Sequence, residues 1–144
     1  MIELKNISKY YNNGEVTSVG LRNINLKLSK GEIVAITGES GSGKSTLLNV
    51  ITRLDNFDDG ELYYKGNETS YFSTLDSDDF RKNKVGFIFQ NYNVIGSYTV
   101  LKNVMLPLIL KGKSNKEALI EAKDLIAKVG ISHRIKSRAS KLSL

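Results

Sequence analysis

Nine consecutive residues carry most of the chemistry legible in this chain. Gly38, Glu39, Ser40, Gly41, Ser42, Gly43, Lys44 and Ser45 follow the spacing G-x-x-x-x-G-K-[ST], and Thr46 comes next. Glycines at these places let a backbone turn tightly and approach an oxyanion with no Cβ in the way. Successive N–H groups then point inward as an anion nest, and a helix starting near Lys44 adds its positive end to the same spot. The Lys44 ammonium suits bridging β- and γ-phosphates, and the Ser45 hydroxyl suits a Mg²⁺ ion held by them. The pattern therefore predicts a cradle for Mg-ATP, with Lys44 acting on the reacting phosphates. The bland alternative is a glycine-rich turn before a helix, and the flanking segments argue against it.

Those segments have the periods needed to hold such a loop. Glu32-Ile33-Val34-Ala35-Ile36-Thr37 is a β-branched run leading into Gly38, as expected of a strand covered on both faces. After the loop the period becomes helical, with Leu47, Leu48, Ile51 and Leu54 predicted to share one face. Upstream, Ile2 and Leu4 alternate with charged residues as a short strand, and residues 10–14 read as its turn. Ile24, Leu26 and Leu28 alternate as a second, half-buried strand. Downstream, Asp58-Asp59-Gly60 marks a turn, 61–65 a strand, and Asp76, Asp78 and Asp79 a helix start. Val85-Gly86-Phe87-Ile88-Phe89 is predicted to be another buried strand, ending at Gln90. From Thr99 the pattern is helical, with Pro107 expected to kink or break the first helix. The second helix opens on a Ser114–Glu117 capping box. Its apolar stripe is Ala118, Ala122, Leu125, Ile126 and Val129, and Gly130 stops it. The fold class predicted is α/β with a helical appendage.

Composition narrows the field. An apolar share of 40% and a charged share of 25% are ordinary for a globular domain. The absence of cysteine excludes disulfides, thiolate metal sites and cysteine nucleophiles, and favours a cytoplasmic address. No apolar run is long enough to cross a bilayer. The whole net charge of +6 lies after residue 110, where nine Lys and Arg residues face three acidic ones. A solvated helix face explains this most simply; an acidic protein partner or an anionic leaflet are the sharper readings. No nucleic acid is expected, because this stretch has no aromatic residue to interleave with bases. His133, the only histidine, falls after the second helix and reads as a surface residue.

Several segments around the phosphate loop resemble those of ABC transporter ATP-binding subunits. They are Leu4 to Tyr11, Leu21 to Leu26, Lys30-Gly31-Glu32, and Val85 to Asn91. The segment Val100-Leu101-Lys102-Asn103-Val104-Met105-Leu106-Pro107-Leu108 is similar to the branch serving macrolide export, lipoprotein release and antimicrobial-peptide export. The resemblance covers nearly all of the chain. It implies a P-loop NTPase core with an N-terminal antiparallel β subdomain and the start of an α-helical subdomain. It places residues 1–95 in the ATP-binding core and 96–144 in a partial helical subdomain.

Roles follow from the resemblance position by position. Gly38 to Thr46 hold the phosphates. Tyr11 stacks on adenine, with Tyr10 as the fallback. Gln90 is the Q-loop glutamine, reaching Mg²⁺ and the attacking water. The implied partners are a transmembrane permease and a second ATP-binding subunit in a head-to-tail dimer, and the implied location is the inner face of the membrane, bound through the permease. Leu142-Ser143 look like the start of the family's signature, although Ala139 replaces a proline and Leu144 stands where a glycine is expected. The Walker B strand, catalytic glutamate and switch histidine would lie beyond residue 144. The chain alone is therefore expected to bind nucleotide and hydrolyse little of it. Competing readings are a non-transport ABC-type protein acting on ribosomes or DNA, and a nucleotide-binding regulatory half-domain.

Overall fold

Strand β1 (Ile2–Asn12) pairs antiparallel with β2 (Thr17–Leu28) on one side and with β3 (Asp59–Tyr64) on the other. A short β4 (Asn67–Glu68) completes the order β2-β1-β3-β4. The computed structural model describes residues 1–142, in two units that meet in sequence after Val85. The reading of Ser143 and Leu144 as signature positions lies outside the described residues. β1 is longer than its alternation suggested. Tyr10, Tyr11 and Asn12 pair with Val19, Ser18 and Thr17, so the turn falls at residues 13–16.

In the first unit, Leu4 and Ile7 of β1, Leu21 of β2 and Leu62 of β3 are buried against helix α1 (Lys44–Ile51). Each such side chain contributes about 1.5–3 kcal/mol relative to exposure. The helix buries Val50 and Ile51, while Leu48 and Leu54 stay 42% and 44% exposed. The predicted face is thus rotated. The helix caps at Thr52 and Arg53 takes φ +59°, so Leu54 leaves the helical path. Arg53 itself is nearly buried, with its guanidinium over the rings of Phe57 and Phe72 at 5.5 and 5.8 Å.

Two predicted buried strands are not strands here. Residues 32–37 and 85–89 run without ladder partners among the described residues, and Ile33 and Ile88 are 99% and 97% exposed. A strand forms only when a neighbour accepts its backbone bonds, and no described segment lies beside either one.

Helix α2 (Thr74–Lys84) starts as its acids suggested. The Ser73 hydroxyl accepts from the Asp76 N–H, and the Asp76 carboxylate accepts from the Ser73 N–H at 3.0 Å. Asp78 pairs with Arg81, and Asp79 accepts from Asn83. Phe80 meets Tyr64 and Phe72 edge-on, with centroids 5.1 and 6.1 Å apart.

In the second unit, α3 (Val100–Leu110) is capped by the Thr99 hydroxyl. Pro107 does not break it. The imide removes one bond near the C-terminal end, and the helix continues three residues to Leu110. α4 (Asn115–Lys128) carries the predicted Ser114–Glu117 capping box and buries Ala118, Ala122 and Ile126. Leu125 and Val129 are 40% and 68% exposed, so the stripe is narrower than predicted. The basic excess is solvated on this unit, where Lys113 pairs with Glu121, and Lys128 with Asp124 at 2.7 Å. Among the described residues, no helix is long and apolar enough to cross a membrane.

Candidate functional site

The loop from Gly38 to Gly43 runs directly into α1, so its backbone sits at the positive end of that helix. Gly43 is the N-cap and takes φ +87°, a left-handed conformation that disfavours any side chain. A second constraint acts there: a Cβ at Gly43 would overlap the carbonyl oxygen of Gly20 in β2. Both conditions select glycine at the last loop position before Lys44.

Lys44 bends back over its own loop. Its ammonium donates to the carbonyls of Gly38 and Glu39 at 2.9 and 2.5 Å, and lies 3.4 Å from the Ser42 Oγ. A positive charge is thereby held against the loop's own carbonyls. Ser45 and Thr46 follow in the first turn of α1. Their hydroxyls lie on the helix end that faces an anion in such an arrangement.

Tyr11 is brought to this helix from the far end of β1. Its Oη donates to the Asp55 Oδ2 at 3.0 Å and lies 3.4 Å from the Thr46 Oγ1. The ring edge runs over Gly20, where a Cβ would come within 2.7 Å of Cε2. Lys9, two residues earlier, has its ammonium 5.3 Å from the ring centroid and 3.4 Å from the Asp55 Oδ1. Tyr11 keeps 36% of its surface in solvent. Tyr10 lines a separate hollow with Lys5, Asn23 and Tyr71. Tyr11 is therefore the tyrosine beside the loop.

Gln90 belongs to the second unit. It is exposed, in a turn where the Tyr92 N–H donates to the Phe89 carbonyl at 3.2 Å. The connection onward to α3 is fastened by Asn103. Its Oδ1 accepts from the Ile95 N–H at 2.8 Å, and its Nδ2 donates to the Ile95 carbonyl at 3.1 Å. His133 lies in the short 3-10 turn Ser132–Arg134, as a surface residue.

No pattern along the chain singled out Lys9, Gly20 or Asp55. Asp55 is 44 residues from Tyr11, and only the folded sheet joins them. Among the described residues there is no group of three His, Asp or Glu able to hold a metal alone.

The ABC transporter family model matches residues 21–144. The chain is 43% identical over 143 residues to the macrolide export ATP-binding/permease protein MacB of Mannheimia succiniciproducens, covering 99% of this chain and 22% of that protein. It is 44% identical to the uncharacterized ABC transporter ATP-binding protein MJ1508 of Methanocaldococcus jannaschii, covering 99% of this chain and 64% of that one. It is 35% identical to the lipoprotein-releasing system ATP-binding protein LolD of Shewanella frigidimarina, covering 99% of this chain and 60% of that one. Among solved structures it superposes on the dimeric ATP-binding cassette MJ0796, bound to ADP and Pi in a post-hydrolysis state. The TM-score is 0.91 at 37% identity, covering 99% of this chain and 63% of that chain. The chain thus spans less than two thirds of each of these relatives. With a matched family model over most of its length and a shared fold, it belongs to the ABC transporter family.

Proposed function

We propose that this chain is the nucleotide-holding part of an ATPase that drives transport through a partner permease. The observation that carries the reading is the pose of Lys44. Its ammonium is ringed by the Gly38 and Glu39 carbonyls at the N-terminus of α1. A triphosphate laid onto this loop would meet the N-terminal end of α1 and the Lys44 charge together. Those groups stabilise charge on the β- and γ-phosphates as the terminal bond stretches. A Mg²⁺ ion held there would neutralise further phosphate charge, and the Ser45 hydroxyl would contribute a ligand to it. Tyr11 would offer its ring to adenine.

The names of the relatives support the transport reading: one is an export ATP-binding/permease protein and another belongs to a lipoprotein-releasing system. The solved relative is a dimer, which supports a second ATP-binding subunit as partner. Attachment to the inner membrane face through the permease follows from the same reading. The 144-residue chain itself is proposed to bind Mg-ATP and to turn it over slowly at most.

The test is a calorimetric titration of Mg-ATP into the chain, with Lys44→Ala as control. Loss of about two charge-assisted hydrogen bonds should weaken binding roughly a hundredfold. Equal affinity in both proteins would overturn the reading. Turnover near that of longer relatives, abolished by Lys44→Ala, would overturn only the claim of slow hydrolysis.

A further inference from the structure

We infer that Asp55 is a positioning residue for base recognition, holding the Tyr11 ring at a set place before any nucleotide arrives. The inference rests on the nucleotide reading above and names a residue which that reading does not use. The two oxygens of this one carboxylate are divided between two groups. Oδ2 accepts the Tyr11 hydroxyl at 3.0 Å, and Oδ1 pairs with the Lys9 ammonium at 3.4 Å. Lys9 and Tyr11 are i and i+2 on β1 and so share a strand face. Lys9 is largely covered, with its side chain 13% exposed, and its ammonium sits 5.3 Å from the Tyr11 ring centroid. The aromatic ring is framed on three sides: the cation over it, the backbone of Gly20 along its edge, and Asp55 at its tip.

The frame has a fixed distance to the phosphate loop. Thr46, immediately after Ser45, places its Oγ1 3.4 Å from the same phenol oxygen. The phenol has one proton, which goes to the carboxylate, leaving its lone pairs for the Thr46 hydroxyl. The Thr46 contact joins the ring to the first turn of α1, and Asp55, whose N–H donates to the Asn49 carbonyl at 3.2 Å, anchors it to the same helix farther along. Phosphates bound at the loop and a base bound at the ring are then held by one rigid piece. A tyrosine free to rotate would have to be ordered during binding, and that ordering would weaken affinity for the base alone. The ligand class implied is a nucleoside polyphosphate, its phosphates read by the loop and its base by the framed ring.

Calorimetry with two probes separates the roles. Mg-ATP uses both loop and ring; Mg-tripolyphosphate uses the loop only. Asp55→Ala is expected to weaken Mg-ATP about three- to tenfold and to leave Mg-tripolyphosphate within about twofold. Asp55→Asn keeps an acceptor for the phenol and should recover most of the loss. Tyr11→Phe keeps the ring, removes the tether and should behave like Asp55→Ala. Parallel weakening of both probes by Asp55→Ala would mean a merely structural role and overturn the inference. Unchanged Mg-ATP affinity in Asp55→Ala, with Tyr11→Ala still weak, would overturn the inference and leave the ring's role standing. Equal affinity of Tyr11→Ala and the unaltered chain for Mg-ATP would remove the ring's role and the inference with it.

Discussion

The carbonyl oxygen of Gly20 abuts Gly43, so that β2 packs directly on the last residue of the glycine-rich loop. Two different glycine substitutions should therefore fail differently. Gly43→Ala forces a methyl against backbone at φ +87°, with a strain of at least about 1–2 kcal/mol. It should lower the urea midpoint and weaken Mg-ATP and Mg-tripolyphosphate alike. Gly20→Ala instead pushes on the Tyr11 ring, which can move. It should weaken Mg-ATP and spare Mg-tripolyphosphate. Calorimetry on both variants checks the contrast.

Ile33 is 99% exposed, so replacing it removes little packing in this chain. Ile33→Lys should change unfolding free energy by no more than about 0.5 kcal/mol. The same change should reduce self-association, because an apolar segment with unpaired backbone invites strand addition. Denaturation curves together with sedimentation velocity at two concentrations test both parts. A loss of several kcal/mol would show that the segment is buried in solution.

Phe80 is 8% exposed and contacts two aromatic rings. Phe80→Ala should destabilise the first unit by about 3 kcal/mol, through lost transfer energy and the remaining cavity. Phe80→Leu should retain more than half of the lost stability. Thermal unfolding followed by near-ultraviolet circular dichroism reads the cluster directly.

Both capping carboxylates have lowered pKa values. The Ser114 hydroxyl and then its backbone N–H hold Glu117 below its ordinary 4.5, and the Ser73 hydroxyl and backbone hold Asp76 below its ordinary 3.8. A depressed folded-state pKa stabilises above the unfolded value, and that stabilisation drains away as pH falls through the folded value. Helicity of the unaltered chain should therefore hold above about pH 4.5 and decline below it. Glu117→Gln and Asp76→Asn should flatten that decline. Ser114→Ala should cost about 1 kcal/mol at neutral pH, measured by urea unfolding.

How much of this was legible along the chain depends on the range of the contacts. The turn from Gly43 into α1, the Ser114–Glu117 box and the acid at the start of α2 are decided by neighbours within four residues, and each stands where its pattern put it. The runs at 32–37 and 85–89 have the right residues for strands, yet a ladder depends on a partner far away in sequence. Pattern alone fixes neither that partner nor its presence. The face of α1 was misjudged by a fraction of a turn, because helix termination at Thr52 and the left-handed Arg53 were invisible to a periodicity count. Asp55 was missed for a similar reason: Leu54-Asp55-Asn56 reads as polar loop, and its meaning comes from residues 9 and 11.

Lys44, at rest, is already saturated. Its ammonium is engaged by oxygens of the loop it serves, so ligand capture is an exchange of partners and not the filling of a bare charge. Such an arrangement sets a threshold. A polyphosphate, with more charge and a longer span than one phosphate group, would displace the Gly38 and Glu39 carbonyls more readily than a monophosphate. The ground state of the loop would then filter by phosphate number: mono-phosphorylated metabolites, however abundant, compete poorly for the lysine, and discrimination begins before base or sugar is read.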